Sequence, residues 1–304
     1  MDKTDRIILS ELRMNCRISY ETLARSLNIT ANSVKRRINN LIETGAIDSF
    51  QIRLSHAMAD VEPVLALAEV LDTKRSDEII TRIGEHPHVT RVGFDSYRWL
   101  IIWAEYNGTD GLANLSSYLR SLKGIGEVEM NPLINRHKGR KVEFTKTQLR
   151  VIKVLLDDPR MPISKIAVKG GMTTKKVRKI LNELIEGQGV VFTARQNINA
   201  SETTRYVLRL SWDEKLANAE EIQTWLQANY PDEFWFALVT ASEARMFAVF
   251  ISEHIRRADV IAKHLSELPG VNYHVTSIPY PAKLFHGIRD TKLREMIAAT
   301  VDEI

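Results

Sequence analysis

The sequence is almost without cysteine. Cys16 is its single thiol, so no intrachain disulfide can form, and a reducing compartment is expected. Long apolar runs are missing too. The densest stretch, Trp99 to Ala104, falls far short of the roughly 18 residues that a membrane-spanning helix needs. Met1 to Asp5 is polar and carries no apolar signal core, so a soluble cytoplasmic protein with no membrane partner is expected. Signatures of several enzyme classes are also absent. No glycine-rich phosphate loop follows a strand pattern, and Gly170-Gly171 falls in a turn between helices. No Gly-x-Ser-x-Gly nucleophile motif occurs. None of the eight histidines, His86 and His88 included, stands at metal-ligand spacing on a helix. No catalytic residue, metal or cofactor is therefore expected.

What is present is charge arranged in blocks. Residues 1–59 carry nine Lys/Arg against six Asp/Glu, and residues 60–137 carry eight against twelve. Residues 138–199 carry fourteen against five, and residues 200–304 eleven against fifteen. The alternation basic, acidic, basic, acidic points to two segments that meet a polyanion and two that do not. At 304 residues and 44% hydrophobic content the chain can bury more than one core.

The two halves repeat. Leu9, Leu12, Leu23, Ala24, Ile29, Val34, Ile38, Leu41 and Ile42 recur as Ile152, Leu155, Ile166, Ala167, Met172, Val177, Leu181, Leu184 and Ile185, at a constant offset of 143. Each basic block reads as three helices and a strand. Helices are predicted over Thr4–Met14, Tyr20–Leu27 with Ser19 as N-cap, and Ala31 to Thr44 with Thr30 as N-cap and Gly45 as the stop. Ile47–Leu54 alternates as a strand that would form a wing. The second block predicts helices over Thr147–Asp157, Ser164–Lys169 and, with Thr173 as N-cap, on to about Glu186, ended by Gly187 and Gly189, then a strand over Val190–Asn197. Three helices, a tight turn before the third and a β wing make a winged helix-turn-helix.

Each acidic block reads β-α-β-β-α-β, the ferredoxin-like order. The expected class is α+β, a tandem repeat of a winged helix-turn-helix and a ferredoxin-like βαββαβ sensor domain. The division is 1–59 and 142–199 for the winged helices, and 60–136 and 200–283 for the ferredoxin-like domains. A polar linker covers 137–141, and a C-terminal helix without counterpart covers 284–304, with Leu293, Ile297 and Val301 on one face.

At this point the chain resembles the leucine-responsive regulatory protein/AsnC (feast/famine) family of transcription regulators. Asp5-Arg6-Ile7-Ile8-Leu9, Arg17-Ile18-Ser19, Val34-Lys35-Arg36-Arg37-Ile38 and Gly45-Ala46-Ile47 carry the likeness in the first helical block. His86-Pro87-His88-Val89 and Val92-Gly93-Phe94-Asp95, before the strand Trp99–Tyr106, carry it in the first acidic block. The resemblance implies binding to double-stranded DNA and a small-molecule effector of the amino-acid class, met near Gly93, Phe94 and Asp95. Family members usually hold one copy per chain and dimerise through their sensor sheets, so the duplication implies an intrachain pseudo-dimer that can further homo-oligomerise. In the second half Ile180 stands for Arg37, and Thr240-Ala241-Ser242 stands for Gly93-Phe94-Asp95. Either one competent sensor sits beside a degenerate one, or both are structural.

DNA affinity comes mostly from neutralised phosphates and sequence choice from base edges in the major groove. With Val34, Ile38 and Leu41 turned inward, Asn32, Ser33, Lys35 and Arg36 stand on the outer side of the third helix. Arg37 borders the buried stripe, as a DNA ligand or as a structural ion-pair partner. In the second copy Thr174, Lys175, Lys176, Arg178 and Lys179 offer more charge and fewer base-reading amides. Two other functions remain open. Siroheme decarboxylases share this architecture in paired or fused halves, but carry a histidine- and asparagine-rich stretch where this chain reads Thr90-Arg91-Val92-Gly93-Phe94-Asp95. A ligand-free architectural DNA-binding protein is the other, and salt-steep, sequence-blind affinity would mark it.

Overall fold

The computed structural model describes residues 1–196 and 204–301. The first half runs α1 (Lys3–Met14), α2 (Tyr20–Leu27), α3 (Ala31–Glu43), β1 (Ile47–Leu54), α4 (His56–Ala59), β2 (Glu62–Val70), α5 (Ser76–Gly84), β3 (Val89–Phe94), β4 (Trp99–Tyr106), α6 (Gly108–Ser121) and β5 (Ile125–Pro132). The second runs α7 (Lys146–Leu155), α8 (Ile163–Gly170), α9 (Thr174–Gly187), β6 (Val190–Gln196), β7 (Thr204–Trp212), α10 (Ala219–Asn229), β8 (Phe234–Val239), β9 (Arg245–Ser252), α11 (Arg256–Ser266), β10 (Val271–Ser277), β11 (Lys283–Leu284) and α12 (Ile288–Val301). Asn197, the boundary near 199–200, the end of the C-terminal helix past residue 301 and the Val301 side chain lie outside the described residues.

The four domains drawn along the sequence pool into two compact units. One holds residues 1–61, 137–200 and 288–304, the other 62–136 and 201–287.

In the helical unit local chemistry starts each helix. Asp2 and Asp5 form a capping box on α1, and Thr145 and Gln148 form one on α7. Ser19, Thr30 and Thr173 cap α2, α3 and α9, each such cap worth about 1 kcal/mol. Helix α8 departs from expectation. It starts at Ile163 behind Pro162, which offers no side-chain cap. Helix α9 runs through Gly187, and Gln188 takes the left-handed terminal position at φ 54°. Gly189 serves close packing instead, since a Cβ there would run into Val142 and Phe144.

Among the described residues each winged helix contributes one wing strand, β1 or β6. Their ladder groups pair with each other, β1 antiparallel to β6. The register obeys the repeat. Moving one residue 143 forward and its partner 143 back turns Ile52↔Phe192 into Ser49↔Arg195, and Phe50↔Ala194 into Gln51↔Thr193. The ribbon therefore carries an intrachain dyad. Each strand also feeds the other copy's core: Ala194 packs among Ile8, Leu12, Val34 and Ile38, while Ile52 and Leu54 join Ile152, Leu155, Val177 and Leu181.

Helix α12 breaks that dyad. Where α1 lies on β6, α12 lies on β1, α4 and α7. Leu293 and Ile297 are buried there. Arg289 donates to the Leu54 carbonyl at 3.0 Å, Lys292 to the Ala59 carbonyl at 2.6 Å, and Asp290 pairs with Arg53 at 2.9 Å. The 137–141 linker is likewise knitted in. Ala57 N donates to the Lys138 carbonyl at 2.8 Å, and Gly139, at φ 77°, lies against Ser55 where no Cβ would fit.

The second unit holds two antiparallel sheets, β5-β2-β4-β3-β11 and β10-β7-β9-β8. Each has the ferredoxin-like order, and β11 is an addition on the β3 edge. One face of the first sheet packs on α5 and α6 through Ile79, Ile83, Leu115 and Leu119. The opposite faces of the two sheets meet through Leu65, Leu133 and Phe247, with Ile101, Trp103, Val207 and Leu238 around them. Arg209 and Arg245 both hold Glu129 in that layer. Two isolated antiparallel bridges, Leu133↔Thr240 and Asp95↔Pro279, link segments that follow the strands of the two sheets.

Candidate nucleic-acid interface

Helix α3 buries Val34, Ile38 and Leu41 and leaves the opposite stripe in water. An open concavity on that stripe is lined by Asn32, Lys35, Arg36, Asn39, Asn40 and Glu43. Asn32, Lys35 and Arg36 thus stand together as expected. Asn39 and Asn40 belong with them and were missed. They lie three and four residues beyond Arg36, so helical spacing alone would have found them. Ser33 is engaged locally: its N–H donates to Thr30 Oγ1 at 3.1 Å, and the two hydroxyls are 2.9 Å apart.

Arg37 faces elsewhere. Its Nη1 meets Asp5 at 2.7 Å and Asp2 at 2.8 Å, the two carboxylates of the α1 capping box. This geometry is that of the structural ion pair, and it ties α3 to the start of α1. Those carboxylates hold the Arg37 guanidinium above its ordinary pKa.

Helix α9 repeats the arrangement with different chemistry. Val177, Ile180, Leu181 and Leu184 are buried. Thr174, Lys175, Lys176, Arg178 and Lys179 are all exposed. Lys179 lies 3.8 Å from Glu183, a largely exposed pair of little energetic weight. Ile180 fills the place of Arg37 as a core residue, and α7 has neither aspartate of the α1 box. Loss of the arginine and of its carboxylate partners is therefore one correlated change.

In the sheet unit, Gly93, Phe94 and Asp95 end β3 together. Asp95 is 8% exposed, and its Oδ1 accepts from Tyr97 N at 2.9 Å and Trp99 N at 3.0 Å, closing the β3–β4 turn. Burial pushes its carboxyl above the ordinary range against those bonds. Gly93 lies beneath the segment Tyr280–Ala282, and a Cβ there would meet the Ala282 backbone. Tyr280 N donates to the Phe94 carbonyl at 2.8 Å and Phe285 N to the Thr90 carbonyl at 3.0 Å, so residues 279–285 form a strap along β3. Nothing in the repeat pattern announces it. Among the described residues no group of three or more His, Cys, Asp or Glu could hold a metal ion, and no helix is long and apolar enough to cross a membrane.

An AsnC-type helix-turn-helix domain matches residues 1–42. An HTH-type transcriptional regulator of Pyrococcus horikoshii is 27% identical over 93 residues, which cover 31% of this chain and 59% of that protein. Another regulator of the same organism is 27% identical over 134 residues, covering 42% of this chain and 88% of the relative. One of Pyrococcus furiosus is 26% identical over 126 residues, covering 41% and 85%. Among solved structures, the siroheme decarboxylase NirDL aligns over 98% of this chain and 99% of its own, at TM-score 0.56 and 12% identity. That likeness establishes the fold of the whole tandem and nothing of its chemistry.

Proposed function

We propose, from the match of residues 1–42 to an AsnC-type helix-turn-helix domain, that the chain is a transcription regulator that reads DNA with both α3 and α9. A single observation carries this: the two helices project from one unit whose β1–β6 ribbon relates them by an internal dyad. Dyad-related readers suit two half-sites on one duplex. Asn32, Arg36, Asn39 and Asn40 of α3 supply the amide and guanidinium groups that pair with adenine and guanine edges, while Lys35 meets phosphate. Thr174, Lys175, Lys176, Arg178 and Lys179 of α9 supply mostly phosphate contacts, so the two ends differ in selectivity. Selection of bound duplexes from a random pool at two salt concentrations tests this. Recovery of one well-defined half-site beside a degenerate one is expected. Binding without any motif would replace it with the architectural function, and absence of binding would end it.

The second part of the proposal is a response to a small amino-acid-like effector at Gly93–Asp95. Asp95 is a buried carboxylate at the turn, and the strap over Gly93 is the element that such a ligand would press upon. A thermal-shift screen with amino acids tests it, and a stabilisation abolished by Asp95→Asn is the expected result.

A decarboxylase function is the second reading, favoured by the full-length architectural match to NirDL, a second structure of which holds an iron-uroporphyrin III analogue. Against it, the layer between the two sheets is occupied by packed apolar side chains around Leu65 and Phe247. A haem-like absorbance on mixing with siroheme, followed by loss of carboxylates, would establish it.

A further inference from the structure

Arg17 and Arg160 occupy equivalent positions, 143 residues apart, in the turns that join α1 to α2 and α7 to α8. Each reaches into the other's turn. Arg17 Nη1 donates to the Pro159 carbonyl, and its Nη2 to the Met161 carbonyl at 3.2 Å. Arg160 Nη1 donates to the Cys16 carbonyl at 2.6 Å. Cys16 and Pro159 are themselves equivalent, each just before its arginine, so the clasp obeys the same dyad as the ribbon.

The guanidinium planes also lie over rings of the opposite copy. Arg17 is 6.0 Å from the Phe192 ring of β6, and Arg160 is 5.2 Å from Phe50 of β1 and 5.1 Å from Tyr20 of α2. Tyr20 opens α2, which packs on α3, and α8 packs on α9. A continuous path of packed contacts thus runs from α3 through the clasp to α9. A planar fork with several donors can bind two carbonyls and cover a ring at once, which an ammonium cannot.

We propose that Arg17 and Arg160 are positioning residues that set the separation and rotational phase of α3 and α9, and so the spacing between half-sites that the protein accepts; this rests on the reading above that both helices meet DNA. Neither arginine is among the groups assigned to touch DNA. Removing the clasp should therefore spare each reader and lose their mutual alignment, and with it the effective-concentration advantage of the second half-site.

The test uses full-length protein and fluorescence anisotropy on duplexes carrying the selected half-sites. Their separation is varied one base pair at a time through one helical turn, and a single half-site duplex is run beside them. The wild type is expected to peak at one spacing by about tenfold. The double variant Arg17→Ala, Arg160→Ala should flatten that peak to within about twofold while keeping single-site affinity within about twofold. Arg17→Lys and Arg160→Lys, which keep charge but lose the fork, should flatten it as well and serve if the alanine variant does not fold. Spin labels at Asn40→Cys and Glu183→Cys, equivalent exposed sites on α3 and α9, give a reading without DNA; Cys16 is fully buried and stays unlabelled. The interspin distance distribution should broaden when the clasp is cut. An unchanged spacing peak, or an unchanged narrow distribution, overturns the assignment. A wild type that binds single sites with no spacing peak overturns it while leaving DNA binding intact, and a wild type that binds no duplex overturns both.

Discussion

Arg37 of α3 donates to Asp5 of α1 at 2.7 Å, and Asp5 is at the same time the third-position member of the capping box of its own helix, accepting from Asp2 N. Helix start and helix packing are thus fastened by one carboxylate. Arg37→Ala should cost about 1–2 kcal/mol, since it leaves the mostly buried Asp5 without its cation. The melting temperature should drop by several degrees while DNA affinity changes less than for Arg36→Ala. A large affinity loss at unchanged stability would return Arg37 to the DNA face.

If both meet DNA as proposed, α3 and α9 should respond differently to charge removal. Lys35→Ala with Arg36→Ala should lower affinity for the preferred sequence far more than for random duplex. Lys175→Ala with Lys176→Ala should weaken both alike and make log affinity fall less steeply with log salt, by nearly one in slope for each phosphate no longer neutralised. Equal loss of sequence preference in the two variants would contradict the division of labour.

His56 gives a pH prediction. Burial, with Arg289 and Arg53 nearby, pushes its imidazole down to about 3 from the ordinary 6.5. The folded state therefore binds fewer protons than the unfolded one in that interval. Its contribution is intact above pH 6.5 and is lost as the pH falls toward 3, at up to about 1.4 kcal/mol per pH unit. Between pH 6.5 and 5 ordinary carboxylates remain ionised, so the effect is separable. Urea unfolding of His56→Gln should show a flatter acid limb than wild type in that window, and identical limbs would refute the assignment.

Helix α12 should be required for the second winged helix. Leu293 is 1% exposed and packs with the α7 and α9 core. Leu293→Ala should cost about 2–5 kcal/mol, seen as an earlier denaturant midpoint. The loss should track α9 function more than α3 function, so the Lys175 and Lys176 contribution to binding should fade first on warming. A variant as stable as wild type would mean that α12 is ornamental.

Much of the fold was legible in the chain. Three-to-four-residue periodicity placed Ile8, Leu12, Val34 and Ile38 inward, and Ser19, Thr30 and Gly45 marked helix ends, because those signals are local. The exposed stripe of α3 followed by subtraction, although Asn39 and Asn40 lie beyond the helix start where the candidates were sought. The missed elements share a cause. The partner of β1, the strap over Gly93 and the seat of α12 all involve residues far apart in sequence, as does the choice between the two roles left open for Arg37.

The sequence by itself determined the order of elements, the repeat at offset 143 and the surplus of positive charge on two blocks, because each is a property of composition or of neighbours within a helical turn. Only the tertiary structure decided that the two lone strands pair with each other, that Arg17 and Arg160 cross between copies, and that β11 closes the β3 edge. An alternating strand carries the same pattern whatever strand it meets, and a guanidinium at the end of a long side chain can reach several acceptors. Which of these is realised depends on how the copies pack, and that is settled only when both cores are buried together.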